Sequence, residues 1–459
     1  MLLVSCSARF WLPASAMMRL ARRCSVLSSR HGLPLGQPDA ALAAGSGRGT
    51  TGATAPRRWA GGGPSARSGG RGRLWRWGSA SGETAQPVLV EGFEGVSAVA
   101  CGSEHAGFVA DGTLYTFGSN SYNQLGWDSD EPSSGSGAGS SGIRPVTIEA
   151  EDGHRPAALG LSLGAFHSAA VTEGGALWTF GWGGSFWGGA GALGLGTSSS
   201  ESEPTLVQRL VGYSEEVRQV ACGDQHTLVL TDQGRLYSTG KGEYGRLGRG
   251  ESDDCLDVEE MDFFFHSNDS ILNPSAMTRI VKIDSGSNFS AALSSDGELW
   301  LWGRNDYGQL GQGIEACQSS RAEQSYPRLI RTLPLEGHRI VDFACGRTHV
   351  VALTAAGAIY EWGNREFLEP SPLTLPSRYE EGLKNVLRVL AGDRVSFALT
   401  SEGRLYSWGL AASGCLAQGP DCPEKLHKPT LVPAEVFGGQ RVVDLAAGPG
   451  RCLAITVEQ

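Results

Sequence analysis

The chain is short of charge, of long apolar runs and, for its length, of cysteine. Charged residues make up only 19% of its 459 positions. No run approaches the roughly 18 consecutive apolar residues of a membrane-spanning helix. Ten cysteines are too sparse for a disulfide scaffold in a chain this long, which suggests a reducing or neutral compartment. Basic charge is outnumbered where nucleic acid would need it. Twelve of the 38 basic residues and one of the 48 acidic ones, Asp39, lie in the first 80 positions. The remainder carries −21, a body that repels phosphate. Direct DNA or chromatin binding is therefore disfavoured, and any association with RNA is expected to be indirect.

The first 80 residues contain no lysine. The opening stretch MLLVSCSARFWLPASAMMRLARRCSVLSSRHG is rich in Arg and Ser and interrupted by Arg9 and Pro13. That composition suits an organelle transit peptide better than a secretory signal. Mitochondrial import is the leading expectation, then plastid import, then a cytoplasmic or nuclear protein with a disordered tail. Residues 1–70 are read as transit peptide plus low-complexity linker.

What is abundant is glycine, 66 residues, and tryptophan, 12. Glycine without a collagen period implies many turns between short strands. Beyond 71 the chain repeats itself. VRQVACGDQHTLVLTDQGRLYSTGKGEYGRLG, starting at Val217, has counterparts starting at Val96 and Ile280. One glycine series falls at Gly102, Gly164, Gly223, Gly286, Gly346, Gly392 and Gly448, with spacings of 46 to 63 residues. A second closes an aromatic strand at Gly118, Gly181, Gly240, Gly303, Gly363 and Gly409. Each unit reads as an alternating strand, a short apolar strand, a turn and an aromatic strand. A fourth strand starts at Pro87, Pro145, Pro204, Pro327 and Pro429, where a missing N–H costs no ladder bond.

Four strands per unit, repeated radially, predict an all-β, seven-bladed β-propeller over 71–459. The last unit lacks an aromatic strand, and GRLWRWG at Gly72 matches GRLYSWG at Gly403. N-terminal strands are expected to complete that blade and close the ring.

The motif Cys-Gly-x-x-His stands at Cys101–His105, Cys222–His226 and Cys345–His349. It could supply metal ligands, or a nucleophile and its base. Sister units argue otherwise, since Leu163, Phe289, Ala391 and Val395 replace one partner or the other. A zinc site needs about four converging ligands, and these pairs belong to separate blades. The cysteines are expected in the core, and the histidines bonded to backbone between blades. Neither a metal nor another cofactor is implied. Trp77, Trp302, Trp362 and Trp408 are expected in the core, and Trp182, Phe186 and Trp187 in a long loop.

The patterns A-C-G-x-x-H and G-x-L-Y-x-W-G-x-N-x-x-x-Q-L-G resemble the repeats of the regulator of chromosome condensation (RCC1-like) family, from about 71 to the end. The resemblance implies a propeller that binds proteins, and in some members guanine-nucleotide exchange on a small GTPase. His226, with Asp224 beside it, stands in a repeat similar to the one that carries the exchange histidine, which makes both candidate GTPase contacts. Two insertions break the spacing, at 127–142 and 249–277. The second joins Asp254, Glu259, Glu260 and Asp262 to Phe263, Phe264 and Phe265: either a solvated loop whose phenylalanines tuck against the propeller, or a candidate docking loop in which aromatics anchor and acids steer. The function expected is a non-catalytic mitochondrial scaffold. Its expected partners are an organelle GTPase or the ribosome and RNA-processing machinery, with peripheral contact with the inner membrane. The alternative is an exchange factor.

Overall fold

A computed structural model describes residues 72–79, 85–127, 142–185, 189–211, 215–264, 278–318, 322–373, 383, 385–411 and 414–458. The proposed transit segment 1–70, most of the 127–142 insertion, Phe186, Trp187 and Phe265 lie outside the described residues.

Seven four-stranded antiparallel sheets form the propeller. Blade 1 opens with Val96–Cys101, blade 2 with Ala158–Leu163, blade 3 with Val217–Cys222 and blade 4 with Ile280–Ser285. Blades 5, 6 and 7 open with Ile340–Cys345, Val386–Ala391 and Arg441–Gly448. These innermost strands surround a central bore. Each carries a register shift at its start, as between Val217 and Gln219 and between Ile340 and Asp342. Such bulges twist a strand locally.

The second strand of every blade, such as His226–Thr231, is buried along its whole length. Neighbouring blades cover both of its faces, so its sequence reads as a continuous apolar run. The core is correspondingly divided. Among the described residues, seven hydrophobic clusters each occupy one junction between neighbouring blades.

The N-terminal strands close the ring as expected. Arg73–Trp77 pairs with Arg451–Val457, with Trp77 opposite Cys452, and Val88–Leu89 pairs outside it. Trp77, Trp302, Trp362 and Trp408 are buried. The outer strands depart from the expected pattern: Pro204, Pro327 and Pro429 lie within Glu201–Leu206, Glu323–Leu329 and Lys425–Leu431 rather than at their starts, and the outer strands of blades 3 and 5 begin with no proline. The fourth strand of blade 3 is Cys255–Glu260, inside the segment read as an insertion. It has no leading proline. It earns its place by burying Cys255 and Val258 while Asp257 and Glu259 face outward.

Removing Trp77 should expose the weakness of this closure. Trp77→Ala is expected to cost about 3–5 kcal/mol, read by urea unfolding. A chain begun at Gly95 should lose its monomeric folded state and recover it with a peptide of residues 72–92. A stable monomer without that peptide would contradict the closure argument.

Candidate functional site

The repeat marker glycines form a ring at one end of the bore. There the innermost strands turn outward and backbone bonds cross from blade to blade. Ser103 N donates to Gly164 O at 3.2 Å, Ala165 N to Gly223 O at 3.3 Å, and Arg347 N to Gly392 O at 3.0 Å. A Cβ on Gly102 would lie 2.4 Å from Gly164 O, and one on Gly164 2.3 Å from Gly223 O. Glycine is needed here for this close approach.

The histidine sits over its own glycine. A Cβ on Gly223 would lie 2.1 Å from His226 Cε1, and one on Gly346 2.1 Å from His349 Cε1. The ring Nε2 spans to the next blade, while Nδ1 has no hydrogen-bond partner among the described residues. His105 Nε2 meets Ser168 Oγ at 2.9 Å, and His167 Nε2 meets Thr227 Oγ1 at 2.8 Å. His226 pairs with Ser290 and His349 with Ser396, both at 2.9 Å. The expected backbone partner is thus replaced by a hydroxyl, which passes the bond on. Ser168, Thr227 and Ser290 donate to the carbonyls of Gln124, Ala192 and Arg246 at 2.7, 2.7 and 2.8 Å. Where the histidine is Phe289, Val395 or Arg451, the next blade offers Val350, Cys452 or Ala106 instead of a hydroxyl.

Burial keeps these rings neutral. It lowers His105 to about 3, helped by Arg451 and His167, and lowers His167 and His349 to about 4. His226 is driven well below its ordinary value by burial, with Arg246 and His167 adding to the effect. Its exposure is 0%, so the expected direct contact with a GTPase is out of its reach; its role in the fold is a strut between blades. Burial also raises the Cys222 thiol to about 12 and that of Cys345 well above its usual range, leaving both poor nucleophiles and poor ligands. No group of three or more His, Cys, Asp or Glu side chains among the described residues is arranged to hold a metal.

Asp224 is the part of the expected pair that reaches the surface, half-buried at the glycine end of the bore. Desolvation raises its carboxyl, opposed by Arg347 and Arg246. Around it runs a feature the sequence reading missed. The loops after the aromatic strands are tied to the glycine turns, as by Lys241 N to Gln225 O at 2.9 Å, and so share that face. They set cations and aromatic rings in alternation. Arg304 lies 4.7 Å over Tyr244 and 6.0 Å from Tyr307, and Arg365 lies 4.3 Å over Tyr307. Tyr122, Phe166 and Trp182 continue the aromatic rim on blades 1 and 2. The only sequence signal was a tyrosine recurring before Gly-x-Leu-Gly, which by itself does not reveal the cation beside it.

The candidate docking loop turns inward. Phe263 and Phe264 pack on Trp300 at 5.6 Å, and Phe264 also on Trp302. Glu259 is paired with Arg249 at 2.6 Å and Glu260 with Arg235 at 3.5 Å, while Asp254 accepts the Gly242 N–H at 2.9 Å. Asp262 opens the short 3-10 turn that carries the phenylalanines. Burying two rings against tryptophan outweighs presenting them to water, so the two described phenylalanines anchor the loop to blade 4.

Comparison with known proteins agrees with this geometry. The model of the RCC1-like domain matches residues 184–459, and that of the regulator of chromosome condensation repeat matches 111–171. The human E3 ubiquitin-protein ligase HERC2 is 31% identical over 337 residues, covering 70% of this chain but only 6% of that protein. The mitochondrial RCC1 domain-containing protein RUG3 of Arabidopsis thaliana is 29% identical, with 65% of this chain and 63% of that one covered. The crystal structure of Prp20p from Saccharomyces cerevisiae, described with its binding properties to Gsp1p and histones, superposes with a TM-score of 0.68 at 20% identity, over 85% of this chain and 93% of that one.

Three outcomes test the strut. His226→Ala should destabilise the fold by about 2–4 kcal/mol through a cavity and a lost hydrogen bond. His226→Phe with Ser290→Val, the pair used between blades 4 and 5, should be far milder; equal losses would refute the pairing. Stability should also fall with acid. The buried histidines stay neutral down to about 3 to 4, while the unfolded chain takes up protons below about 6.5. Their contribution is therefore intact above pH 6.5 and lost as pH falls toward 4. The raised carboxyls of Asp284 and Glu361 act in the opposite sense. Melting temperature between pH 7 and 4.5 should drop, with a shallower slope in the double variant.

Proposed function

This chain belongs to the RCC1-like domain family, and on that premise we propose that it is a non-catalytic scaffold that binds proteins through its glycine face in mitochondria. One observation carries the reading. The residues that looked chemical, Cys222 and His226, are consumed in joining blades, while the same face sets Tyr244, Arg304, Tyr307 and Arg365 side by side at its rim. Aromatic and arginine side chains provide contact area and directed hydrogen bonds at protein interfaces. The mitochondrial part is supported by the arginine-rich, acid-poor first 80 residues and by the likeness to a mitochondrial relative. The partners proposed are an organelle GTPase or proteins of the ribosome and RNA-processing machinery, with RNA held only indirectly.

Guanine-nucleotide exchange is the second reading. Asp224 favours it: an acid whose carboxyl is raised by desolvation at the mouth of the bore is placed to disturb a phosphate–magnesium site.

A fluorescent protein fused to residues 1–80 is expected in mitochondria; a nuclear or cytosolic signal would sink that part. Proximity labelling in the organelle should lose its main protein neighbours at least tenfold with Arg304→Ala and Arg365→Ala together, while the melting temperature holds. For exchange, GTPases loaded with labelled GDP should release it faster with the wild-type chain than with Asp224→Asn. Equal rates remove Asp224 from the site.

A further inference from the structure

Among the described residues the ring has a notch between blades 5 and 6. In the other blades with a described connection, the segment joining the aromatic strand to the outer strand folds back as a turn and drives a leucine into the blade junction. Leu125, Leu193, Leu247, Leu310 and Leu416 are each at most 2% exposed. The carbonyls of these turns accept the next blade's donors: Arg246 O takes both Ser290 Oγ at 2.8 Å and Trp302 Nε1 at 2.9 Å. Gln309 O takes Trp362 Nε1 at 3.0 Å, and Cys415 O takes Trp77 Nε1 at 2.9 Å.

Blade 5 has no such turn. Asn364, Arg365 and Glu366 alone join Ile359–Gly363 to Phe367–Pro372. Blade 6 still presents its donors, and Glu361 answers both. Its Oε1 accepts Ser396 Oγ at 2.7 Å and its Oε2 accepts Trp408 Nε1 at 3.0 Å. Glu361 occupies the strand position at which Thr116, Thr179, Ser238 and Ser407 hold their own blade's turn by its leucine carbonyl. The carboxylate therefore replaces the hydrogen bonds of the missing turn but not its volume. What remains is a cleft of about 280 Å³ with Glu361 in its lining. Phe367, Leu410 and Leu426 give it apolar walls, and Arg394, His427 and Lys428 line it from the surface. Lys425 is already paired with Glu366 at 2.6 Å.

We propose that this cleft receives a short turn of a partner protein, one that inserts a leucine and carries an acidic residue beside it. The fit is drawn from the molecule itself. At the five junctions just named the same space is filled by a leucine on a hydrogen-bonded turn, and blade 4 supplies a version with Asp306 close by. Here the cations on the lining favour an acidic sequence, in a body that is otherwise acidic. The site extends the scaffold reading and relies on it for biological purpose. Its test needs neither mitochondria nor a GTPase, so the two can fail separately.

The probe is a fluorescein-labelled peptide with the sequence of residues 305–311, Asn-Asp-Tyr-Gly-Gln-Leu-Gly, titrated with the full chain and followed by anisotropy. Saturable binding is expected below ~1 mM, weakened at least tenfold when the peptide's leucine is replaced by aspartate. Phe367→Ser and Lys428→Glu, both surface changes, should each weaken it at least tenfold while thermal melting is unchanged. Grafting 305–311 in place of 364–366 should abolish it. Absence of saturable binding, indifference to the leucine, or full binding by the surface variants would overturn the proposal.

Discussion

The propeller depends on how one blade holds the next. At four junctions a neutral histidine stacks over its own glycine and bonds a hydroxyl of the following blade. At three of these the hydroxyl passes the bond to a loop carbonyl. Each member is buried, so an unpaired group would cost more than the bond itself contributes. The glycine ring permits the approach, and the apolar clusters at every junction supply most of the burial. Because the hydrophobic clusters of the described residues all lie at these junctions, the ring stands or falls on their continuity.

That dependence explains why substitutions in the repeats come in pairs. Phe289 faces a blade with Val350 rather than a hydroxyl, and Val395 one with Cys452. It explains Glu361 as well. When blade 5 gave up its turn, the donors of blade 6 still had to be met inside a dry junction, and a carboxylate with two oxygens meets both. The same burial that raises its carboxyl makes its hydrogen bonds strong. With Cys222 and His226 buried at the junctions, the surfaces proposed for recognition are the glycine face, with its alternating arginine and tyrosine, and the notch beside blade 5.

Two site expectations changed for a shared reason. His226 is a candidate GTPase contact only through its resemblance to the exchange histidine, and the phenylalanines of the 249–277 segment are candidate docking anchors only as aromatics in an acidic insertion. In the fold both are drawn inward: His226 has a hydroxyl waiting across the junction, and Phe263 and Phe264 have Trp300 to pack on. Asp224 alone of the expected pair stays at the surface, half-buried at the glycine end of the bore.

The sequence by itself determined the all-β class, seven units and a ring closed by Gly72–Gly78, because a repeat has only to be counted and a missing strand only to be matched. It also held the mark of the notch, the 46-residue spacing between Gly346 and Gly392. Only the tertiary structure decided what these positions do. The partner of His226 lies 64 positions away at Ser290, and that of Glu361 lies in a different blade. The outer strand of blade 3 has neither proline nor regular alternation, so it reads as an insertion until pairing with Leu236–Gly240 claims it. Contacts across junctions are set by which blades become neighbours, and no local pattern of residues carries that information.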